Sequence, residues 1–280
     1  MNKFIKYRFG LLAILLLSAC EKEIDLTLSS QPQLVVNSLF SPDSLWSVHV
    51  SKSVPVVSQD PPSPINDATI QLYEDGVLLE ELTGGVNGLY TSTTHKPMVG
   101  KTYDLQVRNH SLGQATARER MEVEKVAIVD ARYVTVRDAN HEFPVSVKVK
   151  DPAGVSNFYV VKVYGVEEKG AIYMADLRSD DLSASSKEAS ITGIGFSDAL
   201  FDGKEYSFQL KLFYGYPKLI VELQNVSQAY YQYHYTQQLQ GKNTNDPFST
   251  PTEIYTNISQ GLGIFASYQS DTIRVLPEQK

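Results

Sequence analysis

Residues 68–82 read Ala68-Thr-Ile-Gln-Leu-Tyr-Glu-Asp-Gly-Val-Leu-Leu-Glu-Glu-Leu82. Two apolar runs flank Asp75-Gly76, a dipeptide that readily supplies the positive φ angles of a two-residue turn, so the stretch predicts a β-hairpin. Upstream, Leu34 to Leu39 forms one short segment, and then Trp46, Val48 and Val50 alternate with Ser47, His49 and Ser51 at the strand period of two. A proline-rich connector, Pro55 to Pro64, leads into the hairpin. Downstream, Gly84-Gly85 and Asn87-Gly88 frame a further turn before Tyr90, and Gly100-Lys101 precedes Tyr103, Leu105 and Val107. Roughly seven strands before Val123 predict one β-sandwich over residues 33–123.

A second β-domain is expected over residues 124–280. Val126 to Val136 opens it, and Val145, Val147 and Val149 alternate with Ser146, Lys148 and Lys150. Asp151-Pro152-Ala153-Gly154 reads as a turn, Asn157 to Tyr164 as a strand, and the polar stretch Gly165 to Ser190 as a long loop or insertion. Strands resume at Tyr206 to Leu212 and Leu219 to Leu223. One helix is expected near residues 227–240: Ser227 can cap it, no Pro or Gly interrupts it, and Gly241 is placed to end it. Tyr231, Tyr235 and Gln238 share one of its faces. Glu253 to Ile258, Gly261 to Tyr268 and Thr272 to Leu276 read as closing strands. The fold class is thus all-β, two immunoglobulin-like sandwich domains with one short helix in the second.

Composition agrees with this class. The chain has 280 residues, 42% hydrophobic and 20% charged, enough to bury a core, and its 17 Tyr and 11 Phe favour β structure. Acidic residues outnumber basic ones 32 to 25, a net charge of −7 with no basic face, which argues against nucleic acid as a partner.

The first residues carry the most specific signal. Lys3, Lys6 and Arg8 precede an apolar run from Phe9 to Leu17, and Leu17-Ser18-Ala19-Cys20 closes it. The run is shorter than the roughly 20 residues of a membrane-spanning helix. The pattern is that of a bacterial lipoprotein signal over residues 1–19, with Cys20 as the lipidated first mature residue. The chain's only cysteine sits where that pattern demands it, which leaves no partner for a disulfide within the chain. Loss of Lys3, Lys6 and Arg8 would take the basic count from 25 to 22 against 32 acidic residues, a formal charge of −10. Residues 20–32, beginning Cys20-Glu-Lys-Glu-Ile-Asp25, read as a tether. Its acidic residues resemble a surface-export signal of the Bacteroidota; a solvated linker facing the periplasm is the alternative.

Several phrases in a specific order resemble a Bacteroidota lipoprotein family known as domain of unknown function 4249. They are the Cys20-Glu-Lys-Glu-Ile-Asp start, Leu34-Val-Val-Asn-Ser-Leu, Ile65-Asn-Asp-Ala-Thr-Ile-Gln-Leu-Tyr-Glu-Asp-Gly, Gly100-Lys-Thr-Tyr, Asp151-Pro-Ala-Gly-Val-Ser-Asn-Phe-Tyr and Phe201-Asp-Gly-Lys. Ser227 to Tyr235 and Tyr255-Thr-Asn-Ile-Ser-Gln-Gly-Leu-Gly-Ile-Phe complete the series. The resemblance implies an outer-membrane lipoprotein often encoded beside a TonB-dependent receptor, the partner it suggests, and it implies no known reaction.

The sequence carries few motifs of reactive groups. His49, His95, His110, His141 and His234 are scattered, with no HExxH and no second cysteine, so neither a metal site nor a cofactor is expected. GxSxG, SxxK, P-loop and GxGxxG are all missing from the sequence, and Gly261-Leu262-Gly263 reads instead as a bulge or close backbone approach. Asp180-Asp181, Asp198 and Asp202 could offer oxygen to calcium, but the DxDxDG loop is lacking and a solvated loop is the preferred reading. Glu80-Glu81 point to opposite faces of a strand and cannot work as a pair. The tyrosine helix is the most suggestive feature, with Tyr231 and Tyr235 as candidate ligand-stacking rings and packing against a sheet as the competing reading. The expectation is a non-enzymatic, lipid-anchored outer-membrane protein, exposed at the surface, that serves a TonB-dependent receptor as an accessory or capture subunit. The alternative is a structural or adhesive envelope component.

Overall fold

A computed structural model describes residues 31–55, 61–136, 141–185, 188–189, 193–243 and 252–278. Pro32–Val54 and Ser58–Lys280 make up one unit. Cys20 and the signal-like segment lie outside the described residues. The described body is mostly β, in three sheets of ten, six and four strands, none closed into a barrel, with one longer helix, Gln228–Asn243.

The four-stranded sheet contains the Asp75-Gly76 hairpin. Thr69–Glu74 pairs with Val77–Glu81, and the turn residues Asp75 and Gly76 have φ of 48° and 83°. Asn87-Gly88 makes a second such turn, at 53° and 74°. Thr102–Asn109 and Gly113–Arg120 complete that sheet. Alternation decides which face turns inward: Ile70, Leu72, Tyr103, Leu105 and Val107 are buried, as are Leu34, Val36, Val48 and Val50 across from them. Phe40, Trp46, Tyr103 and Phe265 meet at the centre of this first core, with ring centroids 4.4–5.9 Å apart.

A second core lies between the six-stranded sheet, with Val145, Val147, Phe208 and Leu210, and the far part of the ten-stranded sheet, with Tyr159, Val161, Val221 and Leu223. One strand joins the two regions. Leu262–Val275 pairs in parallel with Leu34–Phe40 through its first six residues, and from Tyr268 to Val275 it pairs antiparallel with Lys218–Val226. The first core therefore includes Ile258 and Phe265, far along the chain from the rest of it.

The helix covers the other face of the ten-stranded sheet. Ala229 and Tyr230 pack on Val160, Val226, Ile264 and Ala266, which explains why Val160 is buried although its neighbours Tyr159 and Val161 face the opposite way.

Several expectations need correction. The helix continues through Gly241 to Asn243; a glycine in the last turn costs about 1 kcal/mol against alanine, too little to stop it there. Residues 165–190 are not simply a loop. The strand Phe158–Val166 turns back into Ile172–Met174, and Leu177–Arg178 adds to the six-stranded sheet. Glu253 to Ile258 forms no strand. Its Asn257 instead brackets Phe265, donating to the Phe265 carbonyl at 2.7 Å and accepting from its N–H at 2.9 Å. The two segments read as separate closing strands are one strand of 14 residues.

Candidate functional site

Gly113–Arg120 leaves the four-stranded sheet and continues as residues 121–124 past the start of the helix. Side chains of the ten-stranded sheet hold this segment: Gln269 Nε2 donates to the Val123 carbonyl at 2.7 Å and Asn225 Nδ2 to that of Glu124 at 2.9 Å. Across from it stands the loop bearing Pro152, Val155 and Asn157, with Phe158 opening the strand that follows. Between them opens a cleft of about 780 Å³, floored by Val226, Ser227 and Ala229 and also lined by Glu119, Glu122, Gln232 and Tyr255.

Ser227 begins the helix as expected. Its carbonyl accepts from Tyr231 N–H at 3.0 Å and its hydroxyl from Tyr230 N–H at 3.4 Å. Glu119 hydrogen-bonds the hydroxyls of Ser227 and Ser267, so its carboxylate sits beside the helix start. Burial raises the Glu119 carboxyl above its ordinary value; the serine bonds act the other way, and the charge of Glu122 adds to the rise. The Tyr255 phenol is raised by burial and then by the charge on Glu119.

A second hollow of about 700 Å³ lies over the four-stranded sheet, lined by Tyr73, Asp104, Gln106 and Arg118 among others. Its main charges satisfy each other: Arg118 donates to both Asp104 oxygens, at 2.6 and 3.0 Å. The cleft is the better candidate, because it combines a half-buried acid with aromatic and apolar walls.

The tyrosine helix divides by face. Tyr230 and His234 are buried, and Tyr230 donates to Gln224 Oε1 at 3.1 Å. Tyr231 stacks on the cleft residue Phe158, centroids 4.7 Å apart, and Tyr235 stacks on Tyr231 at 6.4 Å with the rings 3° from parallel. Tyr235 remains 39% exposed, so the ladder ends in a ring open to solvent.

Among the described residues, the group of acids placed to share a metal ion is Asp151, Asp198 and Asp202, one oxygen from each lying within 4.8 Å of the others. Asp198 and Asp202 are candidates on sequence alone; Asp151 is hidden in an ordinary turn phrase. Asp180 instead pairs with Arg178 and Lys211, and Asp181 accepts from Tyr206 and Ser183. The trio pins two loops together. Asp151 accepts from Gly203 N–H at 2.8 Å, Asp202 from Gly154 N–H at 2.8 Å, and Asp198 from Asn157 N–H at 2.6 Å. Asn157 and Pro152 belong to the cleft wall, so the trio also sets that wall.

Burial, followed by the charges of Asp151 and Asp202, raises the Asp198 carboxyl above its ordinary value. A carboxyl raised in the folded state favours folding when protonated and opposes it when ionised. Asp198→Asn keeps an oxygen for the Asn157 amide and removes the charge. It is expected to raise the melting temperature at neutral pH, an advantage that shrinks as pH falls through the carboxylate range. Thermal melts at neutral and acidic pH check this; an unchanged or lower neutral melting point would refute it.

Glu80 shows the opposite shift. Burial raises its carboxyl, but bonds from Thr93 N–H, His95, the Thr93 hydroxyl and the Ser92 hydroxyl outweigh that and lower it to about 2. The nearby Ser92 and His95 do not make a catalytic triad, since the Ser92 hydroxyl bonds Glu80 and backbone rather than the imidazole. The stabilisation is fully present above the ordinary value of 4.5 and is lost as pH falls from there toward 2. Glu80→Gln should lose about 2 kcal/mol at neutral pH and flatten this part of the acid-unfolding curve. Denaturant titrations across that window measure both effects.

No helix among the described residues is long and apolar enough to cross a membrane. The architecture and cleft define a mostly β, open-sheeted protein with a ligand-sized recess beside one helix. The chain belongs to the family Domain of unknown function (DUF4249), matched over residues 21–274. No curated protein matches it. Among solved structures it is similar to a DUF4785 family protein from Legionella pneumophila, at 8% identity and a TM-score of 0.26, over 68% of this chain and 51% of that one. The chain thus spans about half the length of that structure.

Proposed function

We propose that this protein is a non-catalytic capture subunit of the bacterial outer membrane, exposed at the surface, lipid-anchored through Cys20, that presents ligand to a TonB-dependent receptor. The cleft at the helix start carries the capture part of this reading: its volume suits a small molecule or a short stretch of polymer. The Leu17-Ser18-Ala19-Cys20 sequence supports the anchoring. Residues 33–123 and 124–280 would act as two sandwich-like modules, with Tyr231 and Tyr235 extending the cleft's aromatic wall. Tethering raises the local concentration beside the receptor, so a modest contact suffices.

Mild detergent extraction of the native protein is expected to bring a receptor barrel with it in stoichiometric amount. Mass spectrometry should find diacylglycerol on Cys20, and Cys20→Ala should move the protein to the soluble fraction. A native protein without acyl chains or without a barrel partner would overturn the reading.

A further inference from the structure

Glu119 has no Lys, Arg or His within ion-pair distance among the described residues. The helix start offers it only about half a positive charge, through the Ser227 hydroxyl. That leaves net negative potential on the inner wall of the cleft. Arg120 does not cancel it, because that side chain is 59% exposed and engaged with Glu122 at 3.0 Å. The rings of Phe158 and Tyr255 line the same space, and an aromatic face beside a carboxylate favours a cation over a neutral or anionic group. Apolar Val155 and Pro152 suit the methylene stem that carries such a charge.

We infer that the cleft takes a guanidinium or ammonium group on an apolar stem, of the kind an arginine or lysine side chain carries, with Glu119 as its counter-charge. This rests on the cleft being the capture site proposed above. The observations disfavour an anionic ligand, since Glu119 would repel it while Arg120 and Glu122 offset each other.

The test titrates the full chain, in detergent, with blocked glycyl-arginyl-glycine and with the same tripeptide carrying citrulline, which keeps the shape and removes the charge. Calorimetry near neutral pH should show the arginine peptide binding at least about tenfold more tightly. Glu119→Gln, which retains an oxygen for the serine hydroxyls, should abolish that ratio while leaving the melting temperature nearly unchanged. Gln228 also lines the cleft, and Gln228→Trp, which fills it, should remove binding of both peptides. Equal affinity for the two peptides, lost in Gln228→Trp, would overturn the charge selectivity and leave the cleft as the site. Binding that survives Gln228→Trp, or no binding of either peptide, would overturn both readings.

Discussion

Phe265→Ala is expected to lower the free energy of unfolding by about 3–5 kcal/mol, as large-to-small changes at well-packed aromatic sites do. Phe265 is fully buried, with its ring centroid 4.8 Å from Phe40 and 5.9 Å from Trp46. The cavity would open in a core built mainly from residues before Met121, although the substituted residue lies near the other end of the chain. Trp46 is the only tryptophan, so its fluorescence reports that core directly. In denaturant titrations its transition should move to lower concentration with the whole-protein circular dichroism signal. An unaltered Trp46 midpoint would show that the first core does not depend on the shared strand.

Gly263→Ala should cost about 3 kcal/mol for a different reason. Gly263 has a φ of 107°, a region that side-chain-bearing residues seldom adopt, and an added Cβ would collide with the Val36 carbonyl oxygen. Gly263 pairs with Val36 in the parallel ladder, so the backbone cannot yield without loosening the junction between Leu34–Phe40 and Leu262–Val275. Gly154 provides a comparison. Its φ is 79°, but an added Cβ there meets open space, so Gly154→Ala should cost only about 1 kcal/mol. Equal losses at the two sites, measured by urea unfolding, would rule out close approach as the deciding factor at Gly263.

These two residues show how far a linear reading extends. The Asp75-Gly76 and Asn87-Gly88 turns, the alternation of Val145, Val147 and Val149, and the Ser227 cap are readable because each depends on neighbours in sequence. The Gly261-Leu262-Gly263 phrase also suggests close backbone approach, without revealing that Val36 is the backbone approached. Gly241 misleads because a single glycine costs a helix only about 1 kcal/mol and here keeps the helical backbone rather than a left-handed one. Asn257 misleads because its β-like surroundings are used to bracket Phe265 rather than to build a ladder.

The candidate site is less accessible. Tyr231 and Tyr235 can be placed on one helix face by their spacing, but the stacking of Tyr231 on Phe158 joins two elements that are distant in sequence. Asp151 looks like a turn residue until folding brings Asp198 and Asp202 beside it, and Glu119 is one acid among many on an exposed-looking strand. Local order, period and turn chemistry are written in the sequence because short-range sterics and side-chain alternation determine them. Which strand completes the first core, and which carboxylate lacks a counter-charge, are decided only by tertiary structure, because both depend on distances between segments that the chain itself keeps far apart.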